Sequence, residues 1–196
     1  MFTSWTTNKE RLCSLARALD PSIQLYTKDN WLCKTIAWIL FIASFGQLKP
    51  EAFLKMFATT LAHAHFYPKE WDTNTVQKVL VHEAEHTRQF RRFGLNIHPL
   101  CGLPIAALLY LASPLPIFLC WGRMWMELGA NVAFWKYAMR NLGWSNTSVY
   151  NNAKFHAFNV SGSAYLWAWP RPWTEKIYRQ AAEKVVKEYE QEIAAA

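Results

Sequence analysis

The chain has 196 residues, 52% of them hydrophobic and 16% aromatic, with 11 tryptophans and a formal charge of +7. That length suits one domain able to bury most of the surface its unfolded form exposes, and the aromatic content points to a dense core or apolar grooves rather than disorder. The basic excess is scattered and comes without zinc-finger spacing or an aromatic RNA-binding signature, so nucleic acid is not an expected partner.

Residues 1–20 are polar and charged and show no secretory signal. An amphipathic helix is predicted over about 9–19, with Leu12, Leu15, Ala16 and Leu19 on one side, and Asp20-Pro21 ends it. A second helix, about 29–45, is apolar nearly all round. Its uncharged part, 35–45, is too short to span a bilayer, so it reads as a core helix. Residues 53–66 begin as a helix after Pro50-Glu51, whereas 59–67 alternate as a strand does. His63 and His65 then share one face of that strand. Solvent-facing residues are the reading favoured for them, and a second metal site is the alternative. Cys13, Cys33, Cys101 and Cys120 are far apart, without a Cys-x-x-Cys, and read as small buried hydrophobes in a reducing compartment.

The sharpest signal is Val81-His82-Glu83-Ala84-Glu85-His86, a His-Glu-x-x-His sequence. Thr73-Asn74-Thr75 supplies helix caps before it, and Val76, Val79 and Leu80 recur at helical spacing. Gly94 stops the helix after Arg88, Arg91 and Arg92. Those arginines read as a solvated helix end. Positions four apart share a helix face, so His82 and His86 present two imidazoles to one cation. Glu83 stands beside them, where a carboxylate can hold a water and take its proton.

Such a centre needs a third ligand. Gln89 and Arg92 stand where the metzincin pattern has its Gly and His, so that pattern is absent. Glu127, in an apolar helical run from about 121 to 141, is the preferred ligand, because an unpaired buried carboxylate is costly. A salt bridge to Arg123 is the competing reading. Asn131, one turn on, is placed to accept a proton from a ligand histidine and fix its tautomer. His98 is the rival ligand, in a short loop after Gly94. Between Arg92 and Arg123 runs the longest uncharged stretch, with apolar halves at 103–111 and 115–121. Pro99, Pro104, Pro114 and Pro116 divide it. A single crossing would also part His86 from Glu127, so a buried or hairpin-like connection is expected, with room for peripheral membrane contact. A shorter helix or loop follows over 145–159. A last amphipathic helix runs over 173–193, with Ile177, Ala181, Val185, Tyr189 and Ile193 as its stripe.

His82, Glu83, His86 and Glu127 resemble the gluzincin class of zinc metallopeptidases. There a motif helix gives two histidines and a glutamate base, and a second helix gives a glutamate ligand. Asn131 stands where that class has an aspartate. The chain also resembles small uncharacterised metallopeptidases of bacteria and their phages, over about residues 54 to 173. The likeness rests on Thr59-Thr60 leading to Pro68 and Trp71, on the arginine-rich run 86–94, and on the aromatic block 164–170. The resemblance implies a zincin-like α+β fold, mainly helical, with a small sheet or edge strand beside the motif helix that binds extended substrate. It implies a Zn²⁺ cofactor, a peptide or protein substrate and a cytoplasmic setting in a bacterial host.

The organisation expected is a single domain with N-terminal helices at 1–50, a metal-site core at 54–143 and a C-terminal aromatic segment and helix at 144–196. Metal ligands are His82, His86 and Glu127, and Glu83 is the base. Tyr165 and His156 are candidates to stabilise the oxyanion, with core packing the alternative for Tyr165. The residues leave open a metal-stabilised interaction module and a hydrolase of a non-peptide amide or ester.

Overall fold

The computed structural model describes residues 4–112, 120–166 and 168–195. It is mainly helical with one small sheet, and it divides into two compact units, residues 1–108 and 109–196. The expected apolar segment at 115–119 and Trp167 of the aromatic block fall outside the described residues.

In the first unit, helix α1 (Lys9–Leu19) buries Leu12 and Ala16, whereas Leu15 is partly exposed. A 3₁₀ turn (Trp5–Asn8) precedes it. Trp5 is fully buried, and its indole N–H donates to the Pro68 carbonyl at 2.7 Å. Strand β1 (Gln24–Thr27) follows, unannounced by the sequence because four residues give too little alternation to read. Helix α2 (Trp31–Ala43) is capped by the Asn30 side chain, which accepts the Cys33 N–H. Helix α3 (Pro50–Met56) begins with proline, whose fixed φ suits the first turn.

The predicted 59–67 strand is instead a hairpin. β2 (Thr59–Leu61) pairs antiparallel with β3 (Ala64–Tyr67), and β1 pairs parallel with the other side of β3, so the order is β1-β3-β2. The turn is made by Ala62, at φ 57°, and His63. His65 then points inward: it is fully buried, and its Nε2 meets Thr87 Oγ1 at 2.8 Å. The solvent-facing reading is therefore wrong for His65. Period-two patterning cannot see a two-residue turn with no glycine or proline in it.

Helix α4 (Thr73–Phe93) carries the motif. Its cap is Asp72 rather than the threonines after it, with the carboxylate accepting the N–H groups of Asn74 and Thr75. Trp5, Leu12, Ala16, Leu25, Tyr67, Val76, Leu80 and Ala84 form the core between α1, the sheet and α4. After α4, a 3₁₀ turn (Pro99–Gly102) leads to α5 (Leu103–Ala112). That turn comes very close to α4: a carbon added at Gly102 would lie 1.8 Å from the Phe90 carbonyl oxygen. Of the cysteines, Cys33 and Cys120 are buried as expected and Cys101 is exposed; none of the four forms a disulfide.

Lys28 is an unexpected core residue. Its Nζ donates to the carbonyls of Phe53 (2.9 Å) and Phe57 (3.1 Å) and lies 3.4 Å from the centre of the Phe53 ring. It thereby holds the end of α3 and the approach to β2. Burial pushes its pKa down to about 8 from 10.5, with the Cys33 and Glu83 charges opposing. In the unfolded chain the amine keeps its proton up to the ordinary value. Between about pH 8 and 10.5 the unfolded state thus binds more protons, and this group makes stability rise with pH. Urea titrations across that window should show the rise, and Lys28→Met should lose it.

In the second unit, α6 (Trp121–Asn141), α7 (Asn146–Val160) and α8 (Arg171–Ala195) pack about Met124, Leu128, Trp135, Val149, Ala157 and Tyr178. The buried face of α8 is centred on Tyr178, Ala182 and Val185, and Ile193 is exposed. Among the described residues no helix is long and apolar enough to cross a membrane.

Candidate metal centre

On α4 the apolar positions Val76, Leu80 and Ala84 face the core. That orientation fixes the direction of the motif. The rings of His82 and His86 are neighbours, with centroids 4.9 Å apart and planes 80° to each other. His86 is buried, and its Nδ1 meets Gln89 Oε1 at 3.0 Å. The amide oxygen accepts there, so Nδ1 keeps its proton and the Nε2 lone pair is left for a cation. From the sequence, Gln89 stands out only as a departure from the metzincin pattern. Its place three residues after His86 was the available signal, since i and i+3 are neighbours on a helix.

Glu83 is buried, and its Oε2 accepts the hydroxyl of Thr60 on β2 at 2.6 Å. The sheet thus holds the carboxylate through Oε2. Glu85 turns away and pairs with Arg88 (3.3 Å) and Arg92 (3.6 Å). Arg91 makes a forked contact to Asp20, with Nη2 to Oδ1 at 2.7 Å and Nε to Oδ2 at 3.2 Å. Burial alone would raise the Asp20 pKa, but hydrogen bonds from Ser22 and Arg91 outweigh it and hold the carboxyl below its usual value. The arginine-rich tail is therefore paired with carboxylates, while Arg92 stays exposed, as its reading as a solvated helix end expects.

On α6, Glu127 and Asn131 are both buried. The Asn131 amide donates to the Glu127 backbone carbonyl at 2.9 Å, and its Oδ1 is buried without a hydrogen-bond partner. It does not fix a histidine tautomer as expected; on His86 that contact is made by Gln89. The hydroxyl of Tyr178 is buried close to the Asn131 side chain. Burial drives the Tyr178 pKa well above the phenol range, the charge of Glu127 adds to this, and Asn131 opposes it. Nothing in the sequence singles out Tyr178, which looks like any aromatic on an amphipathic helix.

One nitrogen of each of His82 and His86 and a carboxylate oxygen of Glu127 all lie within 4.8 Å of one another. Among the described residues no other three His, Cys, Asp or Glu side chains do so. His98 stands outside that group: its Nδ1 accepts the Leu100 N–H at 3.3 Å, and its ring rests 5.2 Å from His63. Among the described residues, His63 and His98 are not part of a group of three such side chains. His156 is half-buried on α7, its ring 5.3 Å from that of Phe155. Tyr165 closes a 3₁₀ turn (Ser163–Tyr165), gives its carbonyl to Arg123, and packs partly buried against the α6–α8 core.

Two neutral imidazoles and one carboxylate are a donor set that suits zinc and fills three of its four usual positions. No family model matches the chain, and no curated protein or solved structure is significantly similar to it.

Proposed function

We propose that this chain is a zinc-dependent hydrolase of peptide bonds, with His82, His86 and Glu127 as the metal ligands and Glu83 as the general base. The observation that carries the reading is the convergence of those three donors, next to a carboxylate that is not needed as a ligand and is held ready by Thr60. When bound, zinc supplies Lewis acidity, polarising a carbonyl and making a water more acidic at neutral pH.

The chain's own residues do the rest. Gln89 holds the His86 proton on Nδ1 and so keeps Nε2 in its ligand form. Thr60 occupies Glu83 Oε2, which leaves Oε1 to take the proton of the attacking water and return it to the leaving amine. β2 is an edge strand among the described residues, pairing with β3 on one side only. An extended peptide adding to its other side would run beside Glu83, because Thr60 belongs to both the strand and the base's hydrogen bond. The zincin-like character of the fold is part of this proposal, and the adjacency of β2 and α4 supports it. Tyr165 and His156 keep the role of candidate oxyanion donors.

Metal analysis of the purified chain tests the reading. One equivalent of zinc is expected in the native chain and in Glu83→Gln. His82→Ala and Glu127→Ala should each bind it at least about a hundredfold more weakly. Retention of a full equivalent in Glu127→Ala removes that residue from the ligand set. A native chain that binds no divalent ion ends the proposal.

A further inference from the structure

Helix α2 is not the core helix its composition predicts. Cys33 and Ala37 are its only buried residues, and Ala37 joins a small cluster with Leu48 and Phe53. The opposite face carries Trp31, Lys34, Trp38, Ile39 and Ile42 at helical spacing, and Phe45 continues it in the turn that follows. The five large apolar side chains on this face are 59 to 78% exposed. Together they present roughly 700 Å² of apolar surface, at or above the largest patch an ordinary monomer shows. Phe45 has a left-handed backbone, at φ 52°, a conformation that favours glycine.

We infer that this face of α2 docks on an anionic lipid bilayer. The helix is 13 residues long, about 20 Å, so it can lie in the headgroup region but cannot cross. The only charge on the face is the cation Lys34. No acidic residue stands between Lys34 and Lys49, an exposed lysine beyond Phe45; Asp29 and Glu51 lie just outside both ends. The chain as a whole is basic, at +7. Lysine on an apolar face is tolerated at a bilayer, because its stem lies along the acyl chains while the ammonium reaches lipid phosphate. A second copy is a poorer occupant. Antiparallel pairing of two such helices about Trp38 sets each Lys34 against the other copy's Ile42 and buries an unpaired ammonium.

Vesicle co-sedimentation tests this independently of any hydrolytic activity. The full chain should sediment with vesicles of phosphatidylcholine mixed with phosphatidylglycerol, less with phosphatidylcholine alone, and less again at high salt. The double variant Ile39→Glu/Ile42→Glu, shown folded by circular dichroism, should bind at least about tenfold more weakly. Tryptophan quenching by brominated lipids in the unaltered chain is a second readout that needs no variant. Absence of both sedimentation and quenching overturns the inference, as does undiminished binding by the double variant. So does a dimer seen by ultracentrifugation that the double variant dissolves while the native chain ignores vesicles.

Discussion

Replacing Glu83 by Gln is expected to lower kcat by about a thousandfold while KM changes little and one equivalent of zinc stays bound. The substitution is close to isosteric. The amide oxygen of Gln can still accept the Thr60 hydroxyl that Oε2 now accepts at 2.6 Å, so the side chain should keep its place. What it loses is the ability to take a proton at its other terminal atom. His82 and His86, four residues apart on the same helix, are untouched, and metal content should not follow activity. The measurement is turnover of a quenched fluorescent peptide library beside metal stoichiometry on the same preparation. Undiminished turnover would take Glu83 out of the chemistry. Loss of metal together with activity would recast it as part of the ligand field.

Acid should unfold the first unit largely through His65. Burial pushes its pKa down to about 3 from 6.5, with the charge of His86 acting in the same direction. Folded, the ring stays neutral between Thr87 and Tyr67; unfolded, it takes up a proton below about pH 6.5. As pH falls through that window the unfolded chain binds more protons, so stability is lost by about 1.4 kcal/mol per pH unit from this group until the folded pKa is reached. In His65→Gln the amide can still meet Thr87 but does not titrate. Urea midpoints at pH 7 and pH 4.5 give the comparison. The native chain should lose about 2–3 kcal/mol more than the variant over that interval. Equal losses would mean that other groups carry the acid sensitivity.

What could be read from the chain beforehand depended on how local the cause was. The pairing of His82 with His86 was legible because helical spacing alone puts them together, and the helix carrying them had apolar positions and a terminal glycine to mark it. Helices α1, α6 and α8 were legible for the same reason, though the buried stripe of α8 lies about one residue from the predicted one. Asp72 is hard to tell as the cap because three other capping residues follow it. Features that depend on distant partners left no local trace. Lys28 holds carbonyls 25 and 29 residues away. β1 is a strand only because β3 lies beside it. His65 is buried by α4, on which Thr87 sits 22 residues later. α2 is the instructive failure: an apolar composition says that a helix needs an apolar environment, not that the rest of the chain supplies it.

The approach of Gly102 to the end of α4 restricts what this sequence can become. With 1.8 Å between a would-be β-carbon and the Phe90 carbonyl oxygen, and 2.8 Å to the Gly94 nitrogen, not even alanine fits unless backbone moves. The conflict is with main chain, so no compensating change of a neighbouring side chain relieves it. Lineages descending from this protein are free to exchange loops and surface charges, yet they inherit a residue at this crossing that selection cannot vary, and its invariance would speak of backbone crowding and not of chemistry.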